Sequence, residues 1–156
     1  MIYVFDTSSL VVLKNFYPDN FPSFWQAWDE LMENSIVTSV REVRNELENR
    51  DTPDFIQEWV KEHKTMFEIP DPEALMFVPQ IFAVQHFQML VPQNARLRGT
   101  PVADPFVIAV AKAKCGTVVT EEWLKPNAAR IPNVCQYFQI PCMNLAGFMN
   151  QQRWRF

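Results

Sequence analysis

The chain has 156 residues, of which 48% are hydrophobic and 21% are charged, and its formal net charge at pH 7 is -4. This length suits a single domain over residues 1–156, and the composition excludes a disordered chain. The negative charge argues against a nonspecific DNA-coating protein. It does not exclude a nucleic-acid substrate, because a nuclease that binds a divalent metal concentrates carboxylates.

The same composition gives an expectation for the compartment. No stretch approaches the roughly 20 consecutive apolar residues of a membrane span. The N-terminus lacks the pattern of a signal peptide. Three cysteines occur, without the paired spacing of a zinc site or a disulfide framework. We therefore expect a cytoplasmic protein with no membrane association.

Short apolar strands alternate with helices along the chain. Strands are predicted at 2–5, 35–39, 116–120 and 140–145, the last followed by a short tail. Helices are predicted at 21–34, 39–50, 54–67, 73–90 (continuous or broken at Pro79) and 103–115. This alternation predicts an α/β fold with a parallel sheet covered on both faces, in which ligands bind at the carboxyl ends of the strands.

Asp6 directly follows the first strand, in the stretch "YVFDTSSL". One interpretation is a helix cap that accepts backbone N–H groups. The other is a metal ligand, because an ionised aspartate next to an apolar strand is costly to desolvate unless it is paired. We expect Thr7 and Ser9 to cap the following helix, which would leave Asp6 free for a metal.

The helix over 39–50 carries two candidate carboxylates. Ser39 and Glu42 have the spacing of a capping box, so Glu42 is expected in a supporting role. Glu46 lies one turn further on, on roughly the same face. Its alternative is a surface pair with Arg50, which would contribute about 0.3–0.5 kcal/mol. Glu46 is the better functional candidate.

Acidic residues also mark the start of the buried helix 103–115 and the end of strand 116–120. Asp104 followed by Pro105 predicts an N-cap with proline at the first helical position, and capping does not exclude metal binding. After strand 116–120, one interpretation is that Thr120 caps a short helix that begins with Glu121 and Glu122. The other is that these adjacent carboxylates, at the end of a central strand, belong to a metal site.

Four separated acidic points therefore lie at strand ends or helix starts. Hard cations such as Mg²⁺ or Mn²⁺ prefer oxygen ligands. Carboxylates around such ions support the in-line attack of water on a phosphodiester, since the metal lowers the pKa of the water. This chemistry requires no histidine.

Taken in order, the motifs resemble those of the PIN-domain family. The similarity rests on "YVFDTSSL", "VRNEL", "ADPFVIAVAKAKCGTVVT" and "TEE". The tail "RIPNVCQYFQIPCMNL" is similar to the PIN-like DUF4411 group, which is close to VapC-type toxins. The resemblance implies a three-layer α/β/α domain with a parallel central sheet, a Mg²⁺ or Mn²⁺ site, and ribonuclease activity on single-stranded or structured RNA.

The resemblance also implies roles for individual residues. The catalytic metal ligands would be Asp6, Glu46, Asp104 and Glu122. Glu121 is the alternative fourth ligand, because the chain has Glu-Glu where many relatives have Asp or Asn. Ser8 and Thr120 would support the carboxylates.

The leading hypothesis is the toxin of a type II toxin–antitoxin pair, with RNA as substrate and an antitoxin protein as partner. The main alternative is a PIN-like protein without catalysis that serves as a binding or scaffold protein. A phosphatase with an aspartyl nucleophile is disfavoured, because Ser8 stands where the second aspartate of a D-x-D motif would be.

Two further predictions concern binding surfaces. Basic side chains near the acidic motifs are candidates for contacts with RNA phosphates. The candidates are Arg96, Arg98, Lys112 and Lys125, with Lys114 and Arg130 as further possibilities. The aromatic stripe of Phe24, Trp25 and Trp28 is predicted to be core or a homodimer interface.

Overall fold

The structure is a computed structural model that describes residues 1–99 and 102–156. Its strands are β1 Tyr3–Phe5, β2 Val37–Val40, β3 Phe67–Glu68, β4 Thr117–Val119 and β5 Cys142–Met143. Its α-helices are α1 Thr7–Val11, α2 Pro22–Glu33, α3 Arg41–Glu48, α4 Asp54–Glu62, α5 Pro72–Ala83, α6 Gln93–Arg98, α7 Asp104–Ala113, α8 Ile131–Tyr137 and α9 Leu145–Gln151. Short 3₁₀ helices extend α1, precede β3 and follow α5, at Val12–Asn15, Lys64–Met66 and Gln85–Leu90.

The five strands form one parallel sheet in the order β3-β2-β1-β4-β5. The chain first builds outward from β1 through β2 to β3, and then returns to place β4 on the other side of β1. The strand order therefore reverses between β1 and β4. In open α/β sheets this reversal opens a crevice at the carboxyl ends of the two strands, where ligands bind.

Helices cover both faces, which confirms the predicted three-layer α/β/α architecture. On β1, Tyr3 and Phe5 point to one face, where both rings make edge contacts with Phe148 of α9. Phe5 also meets Trp28 of α2 at 5.0 Å between ring centroids. Val4 points to the opposite face, where α7 packs. All of these side chains are buried.

The aromatic stripe on α2 is largely core. Phe24 and Trp28 are fully buried, and Trp25 is partly buried against them. Phe24 and Trp28 are therefore core residues, which is one of the two roles predicted for the stripe. Within the described residues, every helix is too short or too polar to span a membrane.

Several predicted element boundaries were wrong. The predicted helix 54–67 ends at Glu62, and its last residue is already in strand β3. The predicted segment 73–90 is helical through Pro79 and then changes to a 3₁₀ turn after Ala83. Helix α8 lies in a stretch for which the sequence predicted no element, and α9 begins where the last predicted strand ends and a tail was expected. They are only seven residues each, too short for a clear apolar period.

Candidate metal centre

The predicted acidic residues gather at one edge of the sheet. Asp6 follows β1, Thr120 follows β4, and α3 with Glu46 follows β2. Helix α7 precedes β4 in a parallel sheet, so it runs antiparallel to the strands and its first residue, Asp104, lies at the same edge. Four separate chain segments thus bring carboxylates to the crevice at the strand-order reversal.

Asp6 lies at the centre of a hydrogen-bond network. Its side chain is 2% exposed. Oδ1 accepts from the Ser9 amide at 2.8 Å, and Oδ2 accepts from Thr120 Oγ1 at 2.5 Å. Ser8 Oγ lies 2.9 and 2.8 Å from the two carboxylate oxygens. Burial raises the pKa of Asp6, and these hydrogen bonds oppose the rise.

Asp6 therefore does cap α1, so the two interpretations left open by the sequence are not exclusive. The capping roles expected for Thr7 and Ser9 were wrong. Ser9 Oγ donates instead to the carbonyls of Asp6 and Val119 and ties the start of α1 to β4. The hydroxyls of Ser8 and Thr120 both bond to the Asp6 carboxylate, where they could support it. Their oxygen atoms lie 3.2 Å apart.

Glu46 is held from two sides. Its Oε2 accepts from Thr7 Oγ1 at 2.5 Å, and its Oε1 accepts from the Ala103 amide at 3.0 Å. These bonds replace the surface pair with Arg50 that the sequence offered as an alternative. Thr7 was not predicted in this role, since 39 positions of sequence separate it from Glu46 and no spacing rule connects them. Glu46 thereby links α1 to the residue that precedes Asp104.

Asp104 is the acidic residue on which the other three carboxylates act together. It is the first residue of α7, and Ala103 takes the N-cap position, so the predicted N-cap role was wrong. Within the described residues, its carboxylate makes neither a hydrogen bond nor an ion pair. Burial, together with the nearby carboxylates of Glu122, Asp6 and Glu46, raises the pKa of Asp104 to about 8. The four acidic residues are therefore electrostatic neighbours.

The two glutamates after β4 point to different partners. Glu121 Oε1 accepts from the Leu145 amide at 2.7 Å, at the start of α9. Glu122 Oε2 accepts from the Ile131 amide at 2.9 Å, at the start of α8. Burial raises the pKa of Glu122, and the carboxylate of Asp6 adds to the rise. No helix begins at Thr120, whose hydroxyl instead accepts from the Glu122 amide at 3.1 Å, so the predicted cap was wrong. Of the two glutamates, Glu122 is the one whose charge contributes to the raised pKa of Asp104.

Glu42 was expected in a capping box with Ser39, and that expectation was wrong. Helix α3 begins after Val40, and Ser39 Oγ donates to the Phe5 carbonyl at 2.7 Å, which links β2 to β1. Glu42 is buried and pairs with Arg41 at 2.9 Å. Its described hydrogen bonds do not connect it to the other carboxylates.

The four carboxylates do not close around one point in this structure. In residues 1–99 and 102–156, no three Asp, Glu, His or Cys side chains are arranged to share one metal ion. Their chemistry nevertheless fits a hard cation. The donors are carboxylate oxygens, and both burial and the charges of three neighbouring carboxylates raise the pKa of Asp104. Glu122 keeps one oxygen outside its bond to Ile131.

The predicted RNA-binding residues are dispersed. Lys112 lies at the far end of α7, about 12 Å along the helix from Asp104 at 1.5 Å per residue. Lys114 pairs with Glu68 of β3 at 3.3 Å. The structure therefore does not bring these two lysines to the acidic edge. Arg96 donates to the Gln88 carbonyl, and Arg98 is exposed at the end of α6. Lys125 and Arg130 lie three and eight positions after Glu122 in the chain.

Comparisons with known proteins place this architecture in a family. The pattern of the family described as "Domain of unknown function (DUF4411)" matches residues 3–156. The chain belongs to the DUF4411 family. No curated protein matches the sequence of this DUF4411 chain.

The fold of the DUF4411 protein is similar to a solved structure. That structure is the "Crystal structure of VapBC2 from Rickettsia felis bound to a DNA fragment from their promoter". The TM-score is 0.51 at 15% identity, over 92% of this chain and 98% of the other. At this identity the likeness shows the fold, which agrees with the three-layer α/β/α domain expected from the motif order.

Proposed function

We propose that this DUF4411 protein is a metal-dependent endoribonuclease and the toxin of a type II toxin–antitoxin pair. The observation that carries the proposal is the convergence of Asp6, Glu46, Asp104 and Glu122 at the strand-order reversal. Burial and mutual repulsion there raise the pKa of Asp104 to about 8. A carboxylate cluster of this kind is stable in its ionised form only beside a cation. The fold likeness to a VapBC structure is consistent with the proposal.

In this proposal the four carboxylates hold Mg²⁺ or Mn²⁺. When bound, such an ion supplies Lewis-acid chemistry, lowering the pKa of water and offsetting the charge of a scissile phosphate. Asp6 is oriented by Ser8, the Ser9 amide and Thr120, and Glu46 by Thr7 and the Ala103 amide. These bonds fix the positions of the Asp6 and Glu46 carboxylates at the crevice before substrate binds, which reduces the reorganisation that the reaction requires.

RNA cleavage provides the test. The wild-type protein should cut single-stranded RNA with Mg²⁺ or Mn²⁺ and lose this activity in EDTA. Asp6→Asn and Asp104→Asn should reduce cleavage by at least about 100-fold if each side chain holds the metal that drives the reaction. Asp54→Asn is a matched control, because Asp54 is an exposed aspartate in the first turn of α4. Equal cleavage by all four proteins would reject the proposal.

A catalytically inactive binding or scaffold protein is the second candidate. It is favoured by one observation, that no three acidic side chains among the described residues already surround one point. Glu121 and Glu122 are also engaged with the amides of Leu145 and Ile131. This candidate predicts no heat of binding when Mn²⁺ is titrated into the wild-type protein, whereas the ribonuclease predicts binding that Asp104→Asn weakens.

A further inference from the structure

The loop between Glu122 and α8 has a fixed conformation. The hydrogen bond from the Ile131 amide to Glu122 Oε2 closes its base at 2.9 Å. Inside the loop, the Ala128 amide and Asn133 Nδ2 both donate to the Lys125 carbonyl, at 3.1 and 2.7 Å. Segment 123–130 is therefore tied to the carboxylate cluster at one end and to α8 at the other.

Trp123 and Arg130 are the first and last residues inside the loop that this hydrogen bond closes, and their side chains contact each other. Arg130 Cζ lies 4.8 Å from the centroid of the Trp123 ring. A cation at this distance over an indole face is attracted by the ring quadrupole, so Arg130 holds the ring in place. The ring is nevertheless 67% exposed, and within the described residues it packs against no other aromatic ring. A large apolar surface is thus presented to solvent.

This surface lies directly beside the proposed catalytic carboxylates. Trp123 is the next residue after Glu122, whose amide is bonded to Thr120 Oγ1, the donor to Asp6. The same short loop carries Lys125, which is exposed, and Arg130. An aromatic face with two cations therefore borders the acidic crevice of a chain whose net charge is -4. That combination suits a polyanion with flat faces better than it suits an apolar partner.

We infer that Trp123 stacks on a base of single-stranded RNA next to the phosphate that is cut, while Arg130 and Lys125 contact the backbone. The inference rests on the proposed function, because it assigns the ring to the same substrate. Base–aromatic stacking tolerates any sequence, since every base has a π-face. A paired base in a duplex has no free face to offer, so the ring selects unpaired RNA. Trp123 is here a substrate-binding residue.

Binding measured without cleavage tests this role. All proteins carry Asp104→Asn and are mixed with Mg²⁺ and a fluorescein-labelled single-stranded RNA whose integrity is checked on a gel. Trp123→Ala should raise the Kd by about tenfold or more, and Trp123→Phe should retain most of the affinity because its ring still stacks. Leu124→Ala is the matched control, because Leu124 is the neighbouring exposed apolar residue and offers no ring. Circular dichroism verifies that each variant is folded.

The RNA itself supplies the second arm. On an RNA with abasic positions, the parent protein should bind about as weakly as Trp123→Ala, and the substitution should cause no further loss. The inference is overturned if Trp123→Ala leaves the Kd unchanged or if Leu124→Ala raises the Kd as much as Trp123→Ala does. It is also overturned if Trp123→Ala raises the Kd for abasic RNA as much as for intact RNA, or if the parent protein does not bind RNA. Loss of binding to a protein partner alone would assign Trp123 to that partner instead. Trp123-dependent RNA binding without cleavage by the wild-type protein would reject the proposed function and leave the stacking role standing.

Discussion

Thr120 Oγ1 donates to Asp6 Oδ2 at 2.5 Å, joining residues that are 114 positions apart in the sequence. The two residues directly follow the neighbouring strands β1 and β4, between which the strand order reverses. This bond is the largest of the hydrogen-bond contributions that oppose the effect of burial on the pKa of Asp6. Thr120 therefore keeps Asp6 closer to the ionised form that a hard cation requires.

Thr120→Val should weaken metal binding without disturbing the sheet. Valine keeps the shape but removes the hydroxyl, so the pKa of Asp6 rises further and the carboxylate is protonated over a wider range. Loss of such a supporting group typically reduces metal affinity by about 10–100-fold. Calorimetric titration with Mn²⁺ should show the deficit growing as pH falls. Thr117→Val, at the other end of β4, is the control, and an equal deficit there would contradict the prediction.

The alternation of strands and helices and the acidic edge were predictable from the sequence for a local reason. Each candidate carboxylate lies within a few residues of an apolar strand or helix, as with Asp6 after β1 and Asp104 at the start of α7. In a parallel sheet such positions share one edge. The fold class followed from the alternation of strands and helices, and the structure confirms it.

The partners of each carboxylate were not predictable, because they are distant in sequence. Thr7 to Glu46 spans 39 positions, and Leu145 to Glu121 spans 24. The capping box failed for a related reason. Ser39 fits its local pattern, but its hydroxyl is used by the Phe5 carbonyl of the adjacent strand. Tertiary contacts of this kind override spacing rules, and no periodicity reports them.

Phe148→Ala tests whether the unpredicted helix α9 belongs to the core. Phe148 is fully buried and makes edge contacts with Tyr3 and Phe5 of the central strand. Its removal should lower the free energy of unfolding by about 3–5 kcal/mol, as for other buried phenylalanines. Phe156→Ala is the matched control, since Phe156 is 55% exposed and should change stability by only about 0.5 kcal/mol. Urea unfolding measures both, and similar values would contradict the assignment.

Glu122 and Glu121 should differ in their contribution to metal binding. Glu122→Gln removes a charge beside Asp6 and Asp104, so Mn²⁺ affinity should fall by at least about tenfold, given that even supporting groups contribute 10–100-fold. Glu121→Gln keeps an oxygen that can accept from the Leu145 amide and should leave Mn²⁺ affinity unchanged. Calorimetry on the two variants decides between them. A larger loss in Glu121→Gln would make Glu121 the fourth ligand.

Asp104→Asn should change how the stability of the metal-free protein depends on pH. The pKa of Asp104 is about 8 in the folded protein, against an ordinary value of 3.8, so the folded state retains a proton that the unfolded chain releases. Stability from this group is therefore present below about pH 4 and is lost as pH rises toward 8. Asparagine has no proton to lose, so the variant should show a flatter profile and exceed the wild type in stability at pH 8 in EDTA. Burial also raises the pKa of Asp6 and Glu122, which leaves a residual slope of the same sign.

Urea unfolding at several pH values measures the profile, with Asp54→Asn expected to match the wild type. A wild-type profile in Asp104→Asn would show that Asp104 does not hold this proton.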